Sequence, residues 1–198
     1  MRTVEFWYEF ASTYSYLSAM RIDERASRAG IAVVWRPFLL RPIFAAQGWT
    51  TSPFNLYPAK GRNMWRDMER EAAALGLPLT RPDPFPQNSL LAARVALVGE
   101  TETWGPAYSK AVFRSGFADG RVISDAGVVS ALLDGLGLDA RSILARAGSP
   151  GIKDRLRART EEAVARGIFG APSFVTADGE LFWGNDRLER ALDWAAKS

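Results

Sequence analysis

The spacing of hydrophobic positions changes twice within the first forty residues. Residues 3–9 (TVEFWYE) alternate loosely and are rich in β-branched and aromatic side chains, which predicts a strand. After a polar turn, residues 16–29 have helical spacing, and Gly30 stands where a C-terminal cap belongs. Residues 31–38 (IAVVWRPF) predict a second strand. This order has the size of a right-handed βαβ unit.

The middle of the chain has helical spacing instead. Apolar residues lie on one face of predicted helices at residues 60–75 and 88–99, and shorter helices are predicted at 125–133 and 142–147. Ser149 followed by Pro150 predicts the start of a further helix that runs to about residue 166. No segment between residues 60 and 166 has the alternation of a convincing strand. We therefore predict an all-helical block here.

Strand patterns return after Gly167. Residues 172–176 (PSFVT) and 180–183 (ELFW) flank an Asp-Gly turn and predict a hairpin, after which Asn185 or Asp186 is expected to cap a last helix. The order βαβ, helical block, ββα is that of thioredoxin. We predict an α/β, thioredoxin-like fold with a large all-helical insertion. Residues 1–59 and 167–198 would form the thioredoxin-like domain and residues 60–166 the insertion.

The amino-acid composition excludes several classes of reaction and of metal site. The chain has 198 residues and is 47% hydrophobic, enough for one compact core, but it contains no Cys and no His. The absence of Cys excludes disulfide exchange by the protein itself, and the absence of His excludes Ser/His/Asp triads and the usual zinc sites. We expect no bound metal.

The charge and hydropathy of the chain indicate which kinds of partner it is expected to bind. The chain has 25 Lys and Arg against 22 Asp and Glu, and these charges alternate in sign along the predicted helices, which argues against nucleic-acid binding. No apolar run approaches the ~20 residues of a membrane span, and the first residues lack the apolar core of a signal peptide. We expect a cytoplasmic protein with no membrane or nucleic-acid partner.

The first strand-to-helix turn carries the candidate chemistry. In thioredoxin-like proteins this turn holds a Cys-x-x-Cys pair, because the N-terminus of the following helix stabilises a thiolate. The four positions here are Ser12-Thr13-Tyr14-Ser15, so hydroxyls stand where both sulfurs would be. An enzyme built on this frame must either borrow its nucleophile from a cofactor or use Ser, Tyr, Lys or carboxylate side chains.

Six blocks of sequence, in order along the chain, resemble the glutathione-dependent 2-hydroxychromene-2-carboxylate isomerases and the related kappa-class glutathione transferases. The blocks are YEFASTYSYL at 8–17, RPFLL with IF at 36–44, PAKGRNMWRDMER at 58–70, FPQNSLLAAR at 85–94, FGAPSF at 169–174 and FWGNDRL at 182–188. The resemblance implies a thioredoxin fold interrupted by a helical domain, glutathione as cofactor, a small aromatic substrate and a homodimer.

The resemblance also implies roles for particular residues. Ser12 is similar to the catalytic serine whose hydroxyl lies beside the glutathione sulfur. Pro172 is similar to the cis-proline whose preceding residue, Ala171, pairs its backbone with the cysteinyl part of glutathione. The remaining implied contacts are Trp183, Gly184, Asn185, Asp186 and Arg187 for the γ-glutamyl end, and Asn55, Lys60 and Phe85 for the substrate side.

The chain departs from the family pattern at several positions. Thr13 stands where the family commonly has Pro, which changes little beyond the stiffness of the turn. Arg41-Pro42 replace Gly-Gly or Gly-Ala, and Ala45 stands where some isomerases have Lys. Because these last positions line the substrate side, the resemblance specifies glutathione more closely than it specifies the substrate.

The implied isomerisation requires rotation about a conjugated carbon-carbon double bond. Reversible addition of a thiolate turns that bond into a single bond that can rotate, and elimination then restores it. The protein must keep the thiol ionised, orient it and stabilise an enolate. The Ser12 hydroxyl and the N-terminus of the following helix suit the first task, whereas no residue is an evident enolate stabiliser.

Other interpretations of these residues stay open. Ser12 is also a suitable helix cap, Pro172 a turn proline, and Asp186 and Arg187 the start of a solvated helix, while Asn55, Lys60 and Phe85 would also fit a surface or a core. Besides the isomerase, a kappa-class-like transferase or peroxidase uses the same fold and cofactor. A glutathione- or peptide-binding module without turnover is a third possibility.

Overall fold

A mixed four-stranded sheet forms the centre of the molecule in the computed structural model, which describes residues 2–197. The strands are β1 (Thr3–Tyr8), β2 (Ala32–Pro37), β3 (Ser173–Thr176) and β4 (Leu181–Trp183). Their order across the sheet is β2-β1-β3-β4, with β1 parallel to β2, β3 antiparallel to β1, and β4 antiparallel to β3. The two ends of the chain thus build one sheet, which confirms the predicted thioredoxin-like fold.

Helices account for most of the remaining chain. They are α1 (Thr13–Ala19), α2 (Ile22–Arg28), α3 (Leu40–Ala46), α4 (Pro53–Leu56), α5 (Pro58–Ala74), α6 (Leu90–Gly99), α7 (Gly105–Phe117), α8 (Ala126–Gly135), α9 (Ala140–Ala147), α10 (Pro150–Ala165) and α11 (Leu188–Ala195). Within residues 2–197, none of them is long and apolar enough to cross a membrane. No strand lies between β2 and β3 in this part of the chain, as the helical spacing of the middle predicts.

The crossover between β1 and β2 differs from the single predicted helix over residues 16–29. It is divided into α1 and α2, and α1 begins three residues earlier than predicted. The cause is Ser12, which is extended at φ −81° and ψ 118° and whose hydroxyl accepts a hydrogen bond from the Ser15 backbone N–H. An N-cap at Ser12 therefore makes residues 13–15 the first turn of α1.

Three helices have no counterpart in the predicted elements: α3, α4 and α7. Helix α7 begins with Gly105-Pro106 and contains Gly116, and these residue types suggest a loop when they are considered locally. In the fold, a Cβ added at Gly105 would lie 2.7 Å from the carbonyl oxygen of Gly99. Glycine is thus needed because α6 and α7 pack closely at this point.

The sheet buries apolar residues on both faces. Val4, Phe6 and Tyr8 of β1 join the main core, which extends through α5–α9 and α11, whereas Trp7 points to the opposite face and packs with Phe38 against α10. This alternation follows from the two-residue period of a strand. The main core is continuous from the sheet into the helical block, so the boundaries at residues 59–60 and 166–167 stay a prediction. Residues 1 and 198 of that assignment lie outside the described residues.

An ion cluster ties the sheet to the helical block around Glu100, which ends α6. Its carboxylate lies 2.8 Å from Arg159 Nη1, 2.9 Å from Arg155 Nη2 and 3.2 Å from Arg36 Nη1. Burial of the Glu100 side chain is the largest single influence on its pKa and raises it. The hydrogen bond and charge of Arg159, with the charges of Arg36 and Arg155, together outweigh burial and hold the pKa of Glu100 below its ordinary value. This carboxylate is therefore ionised at neutral pH and forms ion pairs with three arginines.

Substituting Glu100→Gln is expected to lower the free energy of unfolding by about 2 to 3 kcal/mol, which corresponds to about 5 to 10 °C in Tm. The loss is placed below that of a fully buried pair because the Glu100 side chain keeps 16% of its exposure. Since the pKa of Glu100 is lowered on folding, its contribution is complete above the unfolded pKa near ~4.3 and disappears as the pH falls below it. Thermal unfolding at pH 7 and pH 3 measures both effects.

The matched control for Glu100 is Glu24→Gln. Glu24 pairs with Arg28 on the surface of α2, and both side chains are more than 60% exposed. Surface pairs of this kind contribute about 0 to 1 kcal/mol. Equal losses of Tm in the two variants would show that the cluster around Glu100 has no special role in stability.

Candidate active site

A large cleft opens where β1 ends and β3 begins. Its volume is about 1540 Å³, and it is lined by the β1–α1 turn, by α3 and the residues after it, by Lys60, Asp67 and Glu71 of α5, and by residues 85–90, 169–172 and 183–186. Apart from α3 and α5, these segments are loops or helix ends. The sheet therefore positions the floor, and the helical block supplies one wall.

Ser12 lies half-buried in this cleft at the N-terminus of α1. Its Oγ accepts from the Ser15 N–H at 3.2 Å and donates to the carbonyl oxygen of Ala171 at 2.8 Å. A hydroxyl has one proton, and in the free protein this proton is directed to Ala171. This hydrogen bond joins two residues that are 159 positions apart in the sequence. It lies where the resemblance places the sulfur of glutathione.

The peptide bond between Ala171 and Pro172 is cis, as the resemblance implies for this proline. Cis bonds also occur before Pro84 and Pro86, which sequence analysis did not identify. The Pro172 carbonyl accepts a hydrogen bond from the Gly184 N–H at 3.0 Å. Residues 171–172 and 183–184 therefore form one continuous wall of the cleft.

Trp183 closes this wall at the solvent side. Its side chain is 53% exposed and meets the ring of Phe169 edge to face, with ring centres 4.8 Å apart. A Cβ on Gly170 would lie 2.3 Å from Trp183 Nε1, so only glycine allows the indole to lie against this backbone. The result is an exposed aromatic surface at the mouth of the cleft.

The segment after Trp183 differs from the predicted helix cap. Residues 185–187 form a 3-10 turn, α11 begins only at Leu188, and neither Asn185 nor Asp186 caps a helix with its side chain. That prediction is wrong because Asn185 is buried, where its Oδ1 accepts from Ser18 Oγ at 2.9 Å and from Arg21 Nη2 at 3.1 Å. Asn185 consequently anchors the segment to α1.

Asp186 and Arg187 form an exposed pair, with 2.9 Å between Arg187 Nη1 and Asp186 Oδ2. Gly184, Asn185 and Asp186 line the cleft, whereas Arg187 does not. The charge pair that the resemblance assigns to the γ-glutamyl end therefore lies at the rim, with its acid toward the cleft and its cation outside.

On the substrate side, Lys60 and Phe85 line the cleft and Asn55 does not. The Asn55 amide instead donates to the carbonyl oxygen of Phe85 at 2.9 Å and to Thr51 Oγ1 at 3.3 Å, so it holds two wall segments together. The Lys60 ammonium lies 5.6 Å from the centre of the Tyr57 ring. Lys60 and Phe85 thus line the cleft, whereas Asn55 supports its wall without lining it.

Sequence analysis did not identify an aromatic and cationic wall formed by α3 and the residues just after it. Phe44 and Trp49 line the cleft with ring centres 5.5 Å apart, and Arg41 lies one turn before Ala45 on the same helix. The departures at Arg41 and Ala45 marked this segment as substrate-facing, but α3 itself was not predicted. Only the helix places both positions on one face of the cleft.

Tyr14 was likewise not identified from the sequence. Its hydroxyl donates to Asp67 Oδ2 at 2.9 Å, which links α1 to α5 across the cleft. Burial is the largest cause of a raised pKa for Tyr14, and the hydrogen bond and charge of Asp67 add to it. The phenol therefore stays protonated at neutral pH and keeps this link.

Glu9 is the least expected member of the cleft lining. It is 6% exposed, its Oε2 accepts from the Ala11 N–H at 2.9 Å, and its Oε1 accepts from the Ser89 hydroxyl. Burial raises the pKa of Glu9 to about 7, although both hydrogen bonds oppose the shift. An acid inside the apolar run WYEFA was the available sequence signal, and it was interpreted as part of a strand.

The described residues contain no group of three or more metal-ligating side chains. The polar atoms that face the cleft are hydroxyls, amides, carboxylates and backbone groups, with Arg41 and Lys60 as its cations. Such a set suits a zwitterionic peptide and an anionic organic molecule.

Comparison with known proteins shows the same fold throughout. Residues 3–193 match the family described as "DSBA-like thioredoxin domain". A 2-hydroxychromene-2-carboxylate isomerase from Sphingobium xenophagum is 30% identical, over 95% of each chain, and glutathione S-transferase kappa 1 from Homo sapiens is 27% identical over 95% of this chain and 88% of that protein. The solved structure of a 2-hydroxychromene-2-carboxylate isomerase superposes with a TM-score of 0.88 at 25% identity, covering 98% of this chain and 95% of that one.

Proposed function

Because the chain belongs to the DsbA-like thioredoxin family, we propose that it is a glutathione-dependent isomerase that interconverts 2-hydroxychromene-2-carboxylate and trans-o-hydroxybenzylidenepyruvate or a related aromatic compound. The carrying observation is the position of Ser12. Its hydroxyl faces the Ala171 carbonyl beside Pro172, in a protein without cysteine, so a sulfur at this place must come from a ligand.

The Ser12 hydroxyl has to change its partner for this chemistry. Its proton is directed to the Ala171 carbonyl in the free protein. The cysteinyl N–H of glutathione can take over that carbonyl, since a peptide amide is an equivalent donor. Ser12 is then released to donate to the sulfur. Binding of the tripeptide backbone and stabilisation of its thiolate are thereby linked through one carbonyl.

The γ-glutamyl end of glutathione carries an ammonium and a carboxylate. In the proposal, the Asp186 carboxylate binds the ammonium, and Arg187 holds Asp186 in place from outside the cleft. Asn185 positions the backbone of this segment through Ser18 and Arg21, and Gly184 ties it to Pro172. Trp183 covers the cysteinyl part from the solvent side.

The substrate would occupy the wall opposite Pro172. Lys60 supplies a cation for the substrate carboxylate, and Phe85, supported by Trp65 at 4.9 Å between ring centres, supplies an aromatic face. Asn55 acts by holding the Phe85 segment. The thiolate adds to the substrate's conjugated enone, the resulting single bond rotates, and elimination returns the thiolate, so glutathione is not consumed.

Glutathione is expected to stabilise the protein against heat. A ligand present at a hundred times its Kd adds about 2.7 kcal/mol, which for this chain length corresponds to about 5 to 11 °C in Tm. Thermal unfolding with increasing glutathione up to millimolar concentration measures the shift in Tm. Free cysteine, which lacks the γ-glutamyl group, serves as the control ligand. A Tm that does not change with glutathione would contradict the proposed cofactor.

Two assays then separate isomerisation from conjugation. The change in ultraviolet absorbance of 2-hydroxychromene-2-carboxylate follows isomerisation, and chlorodinitrobenzene follows transfer of glutathione as in kappa-class transferases. We expect the first reaction to be faster and to require only catalytic glutathione. Faster conversion of the chloro compound would favour the transferase, and binding without either reaction would favour a glutathione-binding module.

The proposal includes a homodimer, as the resemblance implies, and a cytoplasmic location, as expected from the absence of signal-peptide and membrane-span patterns in the sequence. Light scattering coupled to gel filtration measures the mass in solution against the 21.8 kDa of one chain. A monomer that is fully active would remove the dimer from the proposal without affecting the chemistry at Ser12.

A further inference from the structure

Glu9 is a buried acid for which the proposed reaction so far has no use. It lines the same cleft as Ser12 and stands three residues before it, and its backbone carbonyl accepts the Ser12 N–H at 3.0 Å. Its side chain holds the Ala11 N–H at 2.9 Å, so the Glu9 carboxyl group and the Ser12 hydroxyl belong to one short hydrogen-bonded turn. In the proposed complex, the thiol of glutathione ionises beside this turn.

The surroundings of Glu9 hold no compensating charge. Within residues 2–197, no cation forms an ion pair with it, and its carboxylate accepts only from an amide and a hydroxyl. The other titratable or charged groups that line the cleft are Tyr14, Arg41, Lys60, Asp67, Glu71 and Asp186, and none of them contributes to the shifted pKa of Glu9. Burial alone is the dominant influence, and it favours the neutral acid.

The Ser89 hydroxyl can form a hydrogen bond with Glu9 in both protonation states of its carboxyl group. This serine occupies the N-cap position of α6, yet its hydroxyl does not cap that helix and is directed to Glu9 instead. A hydroxyl can donate to a carboxylate and can equally accept from a carboxylic acid. Glu9 can therefore gain or lose a proton and keep its hydrogen bond to Ser89.

We propose that the Glu9 carboxylate receives the proton that the glutathione thiol loses when the thiolate forms beside Ser12. This inference rests on the proposed use of glutathione. The S–H bond breaks, its electron pair stays on sulfur, and the proton ends on a carboxyl oxygen of Glu9, so the protein and its cofactor keep the same total charge. The Glu9 carboxyl group and the sulfur share one negative charge before and after the transfer, whereas loss of the proton to solvent would leave one negative charge on each of them.

The test compares, at pH 7.5, the number of thiolates formed with the number of protons released when glutathione binds. The ultraviolet absorbance of the thiolate measures the thiolate formed per bound glutathione. Isothermal titration in buffers of different ionisation enthalpy measures the protons released. Free glutathione thiol is about 90% protonated at this pH, and the Glu9 side chain, with a pKa of about 7, is mostly ionised. In the wild type we expect fewer than half as many protons released as thiolates formed.

The Glu9→Gln variant cannot accept the proton and should release one proton for each thiolate. Glu71→Gln is the matched control, because Glu71 lines the same cleft but is exposed, and its proton count should equal that of the wild type. S-methylglutathione has no thiol proton, so the wild type and Glu9→Gln should release equal numbers of protons when they bind it.

Three results would overturn the inference. One is a wild-type proton release equal to the thiolate formed, which requires no variant and so decides the matter even if Glu9→Gln does not fold. Another is a Glu71→Gln count that changes as much as that of Glu9→Gln. The third is a difference between the wild type and Glu9→Gln with S-methylglutathione. Absence of glutathione binding in the wild type is a separate outcome, because it refutes the proposed function itself.

Discussion

Replacing Ser12 with alanine is expected to lower kcat/KM for isomerisation by about 10- to 100-fold, and to raise the thiol pKa of bound glutathione by about one to two units. The reason is that a hydrogen bond to a charged acceptor contributes about 1.5 to 3 kcal/mol, and in the proposed complex Ser12 donates this bond to the sulfur. Stopped-flow assays and titration of the thiolate absorbance measure the two quantities. Ser12→Thr keeps a hydroxyl and should retain more of both.

The Ser12 variant also loses a helix cap, which must be separated from its chemical effect. Ser149 has the same structural role at α10, where its Oγ accepts from the Ile152 N–H at 3.4 Å, and it lies away from the cleft. Each Ser→Ala change should cost about 1 kcal/mol of stability. Only the Ser12 variant should lose turnover. Unchanged kinetics in Ser12→Ala would show that the sulfur binds elsewhere in the cleft.

Replacing Gly184 with alanine is expected to weaken glutathione binding at least about tenfold. Gly184 has φ 112° and ψ 150°, a conformation that is almost exclusive to glycine and costs other residues about 1 to 3 kcal/mol. An added Cβ would lie 2.6 Å from Asp186 Oδ1 and would turn that carboxylate away. The proposed partner of the glutathione ammonium is thereby displaced, and isothermal titration measures the loss.

The matched control is Gly179→Ala in the turn between β3 and β4. Gly179 also has a positive φ, +89°, but a Cβ there meets nothing within 4 Å, and the residue does not line the cleft. Both variants should lose stability through backbone strain, and only Gly184→Ala should lose affinity for glutathione. If both bind glutathione as the wild type does, Asp186 is not part of the binding site.

Much of the architecture follows from local pattern. The β-branched and aromatic residues of β1, β2, β3 and β4 and the helical spacing of α5, α6 and α8–α10 identify these elements to within about two residues. Burial of one face of a helix imposes the helical period on the sequence. The elements that were missed have a common cause. Helices α3, α4 and α7 carry Pro or Gly near their starts, which are residues that also favour loops, and tertiary packing decided the outcome.

The candidate site likewise has some features that the sequence shows and others that only the fold shows. The exchange of both cysteines for Ser12 and Ser15, and the Ala171-Pro172 pair before a strand, are visible in the amino-acid order, since a turn motif is local. The bond from Ser12 to Ala171 is not visible, because it joins residues 159 positions apart. The same holds for Asn55, which supports the cleft without lining it, and for Asn185, which is buried against α1.

The amino-acid sequence by itself therefore determined the order of the strands along the chain, the helical character of its middle and the absence of a protein thiol. Only the tertiary structure decided which groups share the cleft and what charge they carry. Glu9 shows the physical reason: its place in the strand pattern is a local property. Its burial beside Ser89, which raises its pKa to about 7, depends on the distant segment that covers it. Periodicity reports which side of an element is buried, whereas desolvation depends on what lies across from it.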